Sequence, residues 1–537
     1  MTTSRRDRPI LWLVAAIASG VAWFVATPNF DVWPLGWVAM VPGLFAIEHA
    51  PTRRRALFYG FVCGLVTNVG GFYWVKGMLE RFGQLPFAAA AALLLLLASY
   101  QALVFVAFAW AVRALRGATR LPMTLVAPLA MVTFELSVPL VFPFYLAITQ
   151  AWQLHVIQIA DLTGPLGVTA LLFMVNGAIY DVLTERSSRW KAVAGAGLVL
   201  LLALGYGHLR IGQIAARRAA APKLDVGVVQ PNVNFDMKGV ENPTFAEEQL
   251  GDLQRRSSEL EAAGADLLLW TESSYPYAIS RLAAGDFPEG DPRRIRVGFS
   301  VPLVMGALTI TPRRQPGEYA YNSALLLDDT GRFTARFDKI FLLVFGEYIP
   351  GLETFPWLRR YLPAAAGHFA RGKETTIYPL TTRDGHEIRI GPMICYEDII
   401  PSFGRKLAAH HPNLLVNMTN DAWFGDTSEP WEHLALSVFR AVELRTELVR
   451  AVNTGVSAFV DATGKVFAKT YAVDPGRDPR GADKLLAEVA LLEGGHTVYS
   501  AVGDVFGYLC AAVTAVLALV IPRRRRRLIT TDPSGDE

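Results

Sequence analysis

The chain has 537 residues, long enough for more than one domain, and 52% of them are hydrophobic against 18% charged. With a mean hydropathy of +0.29, that balance excludes an ordinary soluble protein and points to a membrane. The formal net charge is only +3, and the basic residues cluster at the ends of apolar segments rather than along one face, which argues against nucleic acid as a partner.

In chain order the apolar segments read as eight spans, near 10–27, 33–48, 57–77, 86–112, 121–138, 161–183, 192–208 and 500–521. Each approaches the length needed to cross a hydrocarbon core of roughly 30 Å. The first follows Arg5, Arg6 and Arg8 in the manner of a signal peptide. No small-residue cleavage site follows it and more spans come after, so it reads as an anchor. Arginine and lysine alternate between the connections. Arg53 to Arg55, then Arg113, Arg116 and Arg120, then Arg186, Arg189 and Lys191, and finally Arg523 to Arg527 follow the even-numbered spans, while 28–32 and 139–160 carry none and 78–85 has only Arg81. The positive-inside rule then predicts cytoplasmic termini and puts 209–499 on the opposite side, the periplasmic face of a bacterial inner membrane. The expected organisation is a seven-span membrane domain over 1–208, a polar domain over 209–499, an eighth span over 500–521 and a cytoplasmic basic tail over 522–537.

Residues 209–499 alternate β-prone runs with helical stretches. Strands are predicted at 224–229, 266–270, 301–309, 323–327, 387–394 and 414–418, helices at 245–263 and 432–450, and a hairpin over 456–467 through Asp461-Ala462-Thr463-Gly464. That alternation predicts an α/β domain with a mixed sheet.

Of the three cysteines, Cys63 and Cys510 fall in apolar segments and only Cys395 falls in the polar part. A free cysteine is most often buried filler. Here, however, Cys395 follows the strand-like Ile390-Gly391-Pro392-Met393-Ile394, Glu272 follows Leu267 to Thr271, and Lys339 follows Phe333 to Asp338. Loops after strands present side chains on a rigid frame. A thiol, a carboxylate to take its proton and an ammonium to hold the oxyanion form a workable set for acyl transfer. Taken singly, Glu272 and Lys339 read as solvated surface charges.

Motifs add a resemblance. Trp270-Thr271-Glu272, then Phe337-Asp338-Lys339 with Phe345-Gly346-Glu347-Tyr348-Ile349-Pro350, and Ile394-Cys395-Tyr396-Glu397 resemble the nitrilase superfamily with its Glu-Lys-Cys triad. Tyr321-Asn322-Ser323, Asn417 to Asp426 and Arg450 to Ser457 are similar to one branch, the bacterial apolipoprotein N-acyltransferases, as are Glu135, Phe142-Pro143, Gln150 and Gly164 to Gly167 in the apolar part. The flanks differ from that pattern at Thr271, Phe341, Val344 and Gly239, and the arginine expected after Glu135 is missing.

The resemblance implies an αββα sandwich beside the multi-pass helical domain. It also implies transfer of an acyl chain from a phospholipid, usually phosphatidylethanolamine, to the N-terminal amine of a diacylglyceryl-cysteine on an apolipoprotein. No cofactor or metal is implied. Carried over residue by residue, Cys395 is the nucleophile, Glu272 the base and Lys339 the oxyanion support. Glu347 matches an additional glutamate, Tyr396 and Glu397 match residues that shape the pocket, and Asn322 and Trp423 lie in matching motifs. Two other readings stay open at this point, a membrane-tethered amidase and an inactive lipoprotein-binding paralogue.

Some stretches are ambiguous from sequence. Phe355 to Pro363 mixes aromatic and basic residues, which suits either a membrane-dipping arm or an ordinary packed loop. Glu135, Asp161 and Asp181 lie in or near spans and receive no catalytic role. The histidines, including His410-His411 and an isolated His433, show no metal-ligand spacing.

Overall fold

The computed structural model describes residues 8–184, 190–233, 244–311, 320–344, 346–349, 351, 354–355, 357, 360, 369–382, 384–472 and 483–520. Arg5, Arg6, Arg186, Arg189, Gly239, Phe345, Pro350, Arg523 to Arg527 and most of the 355–363 stretch lie outside them. Contacts divide the chain into two units, one of 1–80, 84–211 and 502–537, the other of 81–83 and 212–501.

The first unit is helical. Among the described residues, three helices are long and apolar enough to cross a membrane, Phe87–Ala118, Pro165–Leu183 and Trp190–Ala220. The pair Arg53–Gly71 and Trp74–Arg81, bent by 54°, makes a fourth if taken as one. The remaining expected spans are shorter or broken. The 33–48 segment is a 3₁₀ turn over Trp33–Trp37, which contains Pro34 and Gly36, followed by a helix over Met40–His49 of 10 residues. At 1.5 Å per residue that helix reaches only about 15 Å. Met123–Ser137 has 15 residues with Pro128 inside. The last segment breaks between Val498–Val502 and Val505–Ala515, where Gly503 has φ +65°. The seventh helix runs on past 208 to Ala220, through residues with good helix propensity.

Helices 123–137 and 165–183 approach so closely that a Cβ at Gly177 would lie 2.4 Å from the Met123 carbonyl oxygen. Apolar packing around Trp23, Phe108, Met131 and Phe173 forms the core. The three acids singled out in the sequence have structural partners. Asp181 Oδ2 accepts from Thr124 N at 2.9 Å and Thr124 Oγ1 at 2.8 Å. Glu135 accepts from Leu146 N at 2.9 Å, and Asp161 accepts from Tyr206 at 2.8 Å and Arg210 at 2.9 Å.

Among its described residues the second unit holds thirteen strands: β1 (Lys223–Gln230), β2 (Leu267–Trp270), β3 (Ile279–Ser280), β4 (Leu303–Ile310), β5 (Ala320–Leu327), β6 (Phe333–Asp338), β7 (Tyr378–Thr381), β8 (Glu387–Ile394), β9 (Leu414–Thr419), β10 (Leu448–Val452), β11 (Gly455–Val460), β12 (Val466–Ala472) and β13 (Asp483–Ala490). They form two sheets, β13-β1-β2-β4-β5-β6 with β3 beside β4, and β12-β11-β10-β9-β8-β7. Each has three parallel central strands, β1, β2 and β4 or β8, β9 and β10, extended by antiparallel neighbours. The sheets meet through β1 with β10 and β5 with β8, and helices Phe245–Ala262 and Glu429–Leu444 pack on opposite sheets. This is the expected α/β sandwich. With both faces covered, β2, β9, β10 and β11 are buried along their whole length.

One expected element fails. The predicted helix over 432–450 is a helix only to Leu444; Arg445 turns left-handed at φ +53° and Leu448–Val452 becomes a central strand. Its charged residues Arg440, Glu443, Glu447 and Arg450 are all buried.

Candidate active site

The parallel strands aim their carboxyl ends at one cavity, the usual place for chemistry in such sheets. Glu272 leaves β2 in a tight turn where Ser274 N and Oγ donate back to Thr271 O at 3.2 and 2.8 Å. Gln249, from the covering helix, pins that turn through Ser274 O at 2.6 Å. Gly306 on β4 passes directly beneath. A Cβ there would lie 2.4 Å from Thr271 O and 2.7 Å from Glu272 Cα. Gly306→Ala is therefore expected to lower catalytic turnover about a hundredfold by displacing Glu272 while the fold persists, as turnover measured beside a thermal melt would show.

Lys339 leaves β6 with its N–H donating to Asn322 O at 2.9 Å. Its ammonium is 1% exposed and lies 3.2 Å from Glu272 Oε1 and 2.8 Å from Glu347 Oε2. Asn322 Nδ2 bridges the same two acids, donating to Glu272 at 2.7 Å and Glu347 at 2.9 Å. Two carboxylates, one ammonium and one amide thus form a closed buried set. Such a cluster is costly to bury and tolerable only when its members are paired.

Cys395 leaves β8 at φ +55°, a left-handed conformation that costs energy for any residue with a Cβ. Its carbonyl accepts from Asn417 Nδ2 at 2.8 Å. Glu397 ties this turn to the lysine loop by accepting backbone N–H bonds from Ile340 at 2.7 Å, Phe341 at 3.0 Å and Ile394 at 2.9 Å. Burial pushes the Glu397 carboxyl up to about 8 despite those three donors.

The cavity has a volume of about 450 Å³ and is walled by Glu272, Asn322, Lys339, Glu347, Cys395 and Trp423 together with apolar Phe245, Tyr275, Leu308, Leu343 and Phe369. Six of the eight residues singled out in the sequence therefore share one wall. Tyr396 and Glu397 do not join it. Tyr396 donates to Leu342 O at 2.9 Å and braces the lysine loop from behind. Both therefore contact backbone groups of the lysine loop rather than the cavity itself.

Electrostatics assigns the resting proton. Burial, reinforced by Glu272, holds the Cys395 thiol well above its ordinary range, and Lys339 offsets this only in part. Burial likewise raises Glu272 above the usual carboxylate range, with Lys339 opposing. Lys339 is desolvated, yet the carboxylates of Glu272 and Glu347 hold it protonated, well above its ordinary value. The arrangement therefore rests as a neutral thiol beside a carboxylate of increased basicity and a fixed cation. It can deprotonate the thiol during attack and stabilise an oxyanion.

Sequence reading missed a second polar layer behind Cys395. His433, far from isolated, lies 3.0 Å from Asp398 Oδ1 and 3.1 Å from Asp421 Oδ1. Arg450 pairs with Asp398 and lies 3.7 Å from Asp421 Oδ2. The signal available was that Asp421 and Arg450 sit inside the two runs quoted for the resemblance. Asp421, Glu429 and His433 offer ligand-type atoms within 4.8 Å of one another. They make a poor metal centre, because both imidazole nitrogens already face carboxylates and the Arg450 cation stands beside the group.

Comparison with known proteins agrees with both units. Residues 19–178 match the apolipoprotein N-acyltransferase N-terminal domain, and residues 226–473 match the carbon-nitrogen hydrolase family. The apolipoprotein N-acyltransferase of Geobacter metallireducens is 34% identical over 528 residues, covering 95% of each chain. That of Gloeobacter violaceus is 32% identical, covering 97% of this chain and 96% of its own. Among solved structures, a variant of the amidase from Nesterenkonia sp. AN1 is 19% identical with a TM-score of 0.35, covering 53% of this chain and 98% of its own. The chain belongs to the apolipoprotein N-acyltransferase family.

Proposed function

We propose that the protein transfers an acyl chain from a membrane phospholipid, with phosphatidylethanolamine the expected donor, to the free α-amine of the diacylglyceryl-cysteine of apolipoproteins. The observation that carries this is the buried Glu272–Lys339–Glu347 set sharing an apolar-walled cavity with Cys395. In the first half, Glu272 takes the thiol proton and sulfur attacks the ester carbonyl carbon. Lys339 balances the oxyanion, the ester C–O bond breaks, and the departing lysophospholipid oxygen takes the proton from Glu272. In the second half the amine attacks the thioester, Glu272 removes its proton, the C–S bond breaks and the proton returns to sulfur. Glu347 and Asn322 hold Lys339 and Glu272 in register, and Trp423 walls the acyl site.

Both substrates are lipids, which suits a chain whose first unit carries apolar helices. Leu93, Leu96, Leu198, Leu201, Leu202, Tyr508, Leu509 and Val516 are exposed on those helices, as lipid-facing residues are. The arginine alternation supports eight crossings with 209–499 on the periplasmic side of the inner membrane; the shorter segments then cross through their turns or by local thinning of the bilayer. Phe355 and Trp357, 51% and 55% exposed, favour the membrane-dipping reading of the 355–363 stretch.

One site serving two lipids in turn predicts ping-pong kinetics. Varying phosphatidylethanolamine at several fixed levels of a diacylglyceryl-cysteine peptide in detergent is expected to give parallel double-reciprocal lines and an N-acylated peptide. Release of free fatty acid with the peptide unchanged, or turnover of small amides instead, would assign water as the acceptor and favour an amidase.

A further inference from the structure

The polar layer behind Cys395 has no place in the steps just described, yet it is built from fully buried charges. His433 stands at its centre. Its Nε2 lies 3.0 Å from Asp398 Oδ1, and Asp398 is three residues beyond Cys395 on the same turn. Its Nδ1 lies 3.1 Å from Asp421 Oδ1, and Asp421 opens the turn that carries Trp423 into the cavity wall. Ionised carboxylates only accept hydrogen bonds, so an imidazole donating to both carries two protons and a positive charge. Asp398 is ionised. Burial opposes its charge, but Arg450 and His433 outweigh burial and hold it below its ordinary range.

The groups facing His433 come from four elements. Asp398 comes from the turn after β8 and Asp421 from the turn after β9. Arg450 comes from β10, and Glu429, 3.7 Å away, from the same helix. Glu432 is a buried neighbour of Glu429 on that helix. Burial and Arg450 both disfavour a charged imidazole, yet the two aspartates prevail and push His433 up to about 10. Asp421 also acts on the thiol, since its charge is among those that raise Cys395.

We propose that His433 is a positioning residue of the acyl-transfer site, an imidazolium that clamps the Cys395 turn to the Trp423 turn and screens Cys395 from the charge of Asp421. The inference rests on reading Cys395 as the nucleophile. It assigns His433 two effects, one mechanical and one electrostatic, and only the second predicts a rescue. Removing the imidazolium exposes the thiol to Asp421; removing Asp421 as well takes that charge away.

The test follows alkylation of Cys395 in the full-length, detergent-purified protein. Iodoacetamide is added between pH 7 and 10, and modification is read on the Cys395 peptide by mass spectrometry. His433→Gln is expected to slow alkylation at fixed pH about tenfold, the effect of a thiol pKa raised by one unit. Adding Asp421→Asn to that variant is expected to restore the rate. Should His433→Gln fail to fold, Asp421→Asn alone carries the test with the opposite sign, since Cys395 should then alkylate faster than in the wild type. An unchanged rate in His433→Gln, or a loss that Asp421→Asn does not restore, would overturn the proposal. So would a stoichiometric divalent ion found by elemental analysis in the wild type and lost in His433→Gln, because His433 would then be a neutral ligand. Cys395 that shows the expected His433 dependence yet never takes an acyl chain from phospholipid would leave this inference standing and retire the acyl-transfer reading.

Discussion

Lys339→Met is expected to remove measurable acyl transfer and to destabilise the second unit by about 3–5 kcal/mol, the usual consequence of taking one partner from a buried ion pair. The reason lies in the company Lys339 keeps. It is 1% exposed and within 3.2 Å of two carboxylates that Asn322 also bridges. Without the ammonium, Glu272 and Glu347 face each other with only one amide between them. Glu272, already raised by burial, then rises further, holds a proton and ceases to be a base. Stability and activity can be separated. Lys339→Met combined with Glu347→Gln relieves the repulsion and should recover most of the lost stability, measured as the denaturant midpoint, without recovering transfer. A single Lys339→Met variant as stable as the wild type would mean that the cluster is not the buried, paired set described above.

Glu272→Gln is expected to lower the acylation rate by about a thousandfold, within the range for loss of a general base. The amide keeps the shape and can still accept from Asn322 Nδ2, so the fold should persist. The pH dependence gives the sharper signature. A base must be unprotonated to act, so the wild-type rate falls as pH falls through the Glu272 pKa. Burial sets that pKa above the ordinary carboxylate range despite the opposing charge of Lys339, so the acid limb should lie at higher pH than for an exposed glutamate. In Glu272→Gln the limb should vanish and the residual rate should rise with pH only through the fraction of Cys395 thiolate. A Glu272→Gln variant that keeps the wild-type acid limb would assign the base to another group, with Glu347 first in line.

Much of the site was legible because Glu272, Lys339 and Cys395 each come just after a β-prone run and inside a motif of the resemblance. Position after a strand alone left Glu272 and Lys339 reading as surface charges. The brace behind them was not legible. His433 meets partners 35 and 12 residues away, and nothing local distinguishes it from a solvated histidine. The same limit explains the misplaced helix end. Arg440, Glu443, Glu447 and Arg450 have the composition of an exposed helical face, yet each is buried with charged partners. Composition cannot tell a surface charge from a paired interior one. In the helical unit, apolar run lengths located the segments well, but the 33–48 segment opens as a 3₁₀ turn at Pro34 and the last segment breaks at Gly503.

The most direct test of the account is intact-mass analysis of the detergent-purified protein after incubation with phosphatidylethanolamine, beside Cys395→Ala. The account predicts a mass gain of one acyl chain that neutral hydroxylamine removes, that is absent in the variant and that a diacylglyceryl-cysteine peptide discharges. A wild-type protein that shows no adduct with any of several phospholipids, or an adduct that survives in Cys395→Ala, would contradict it.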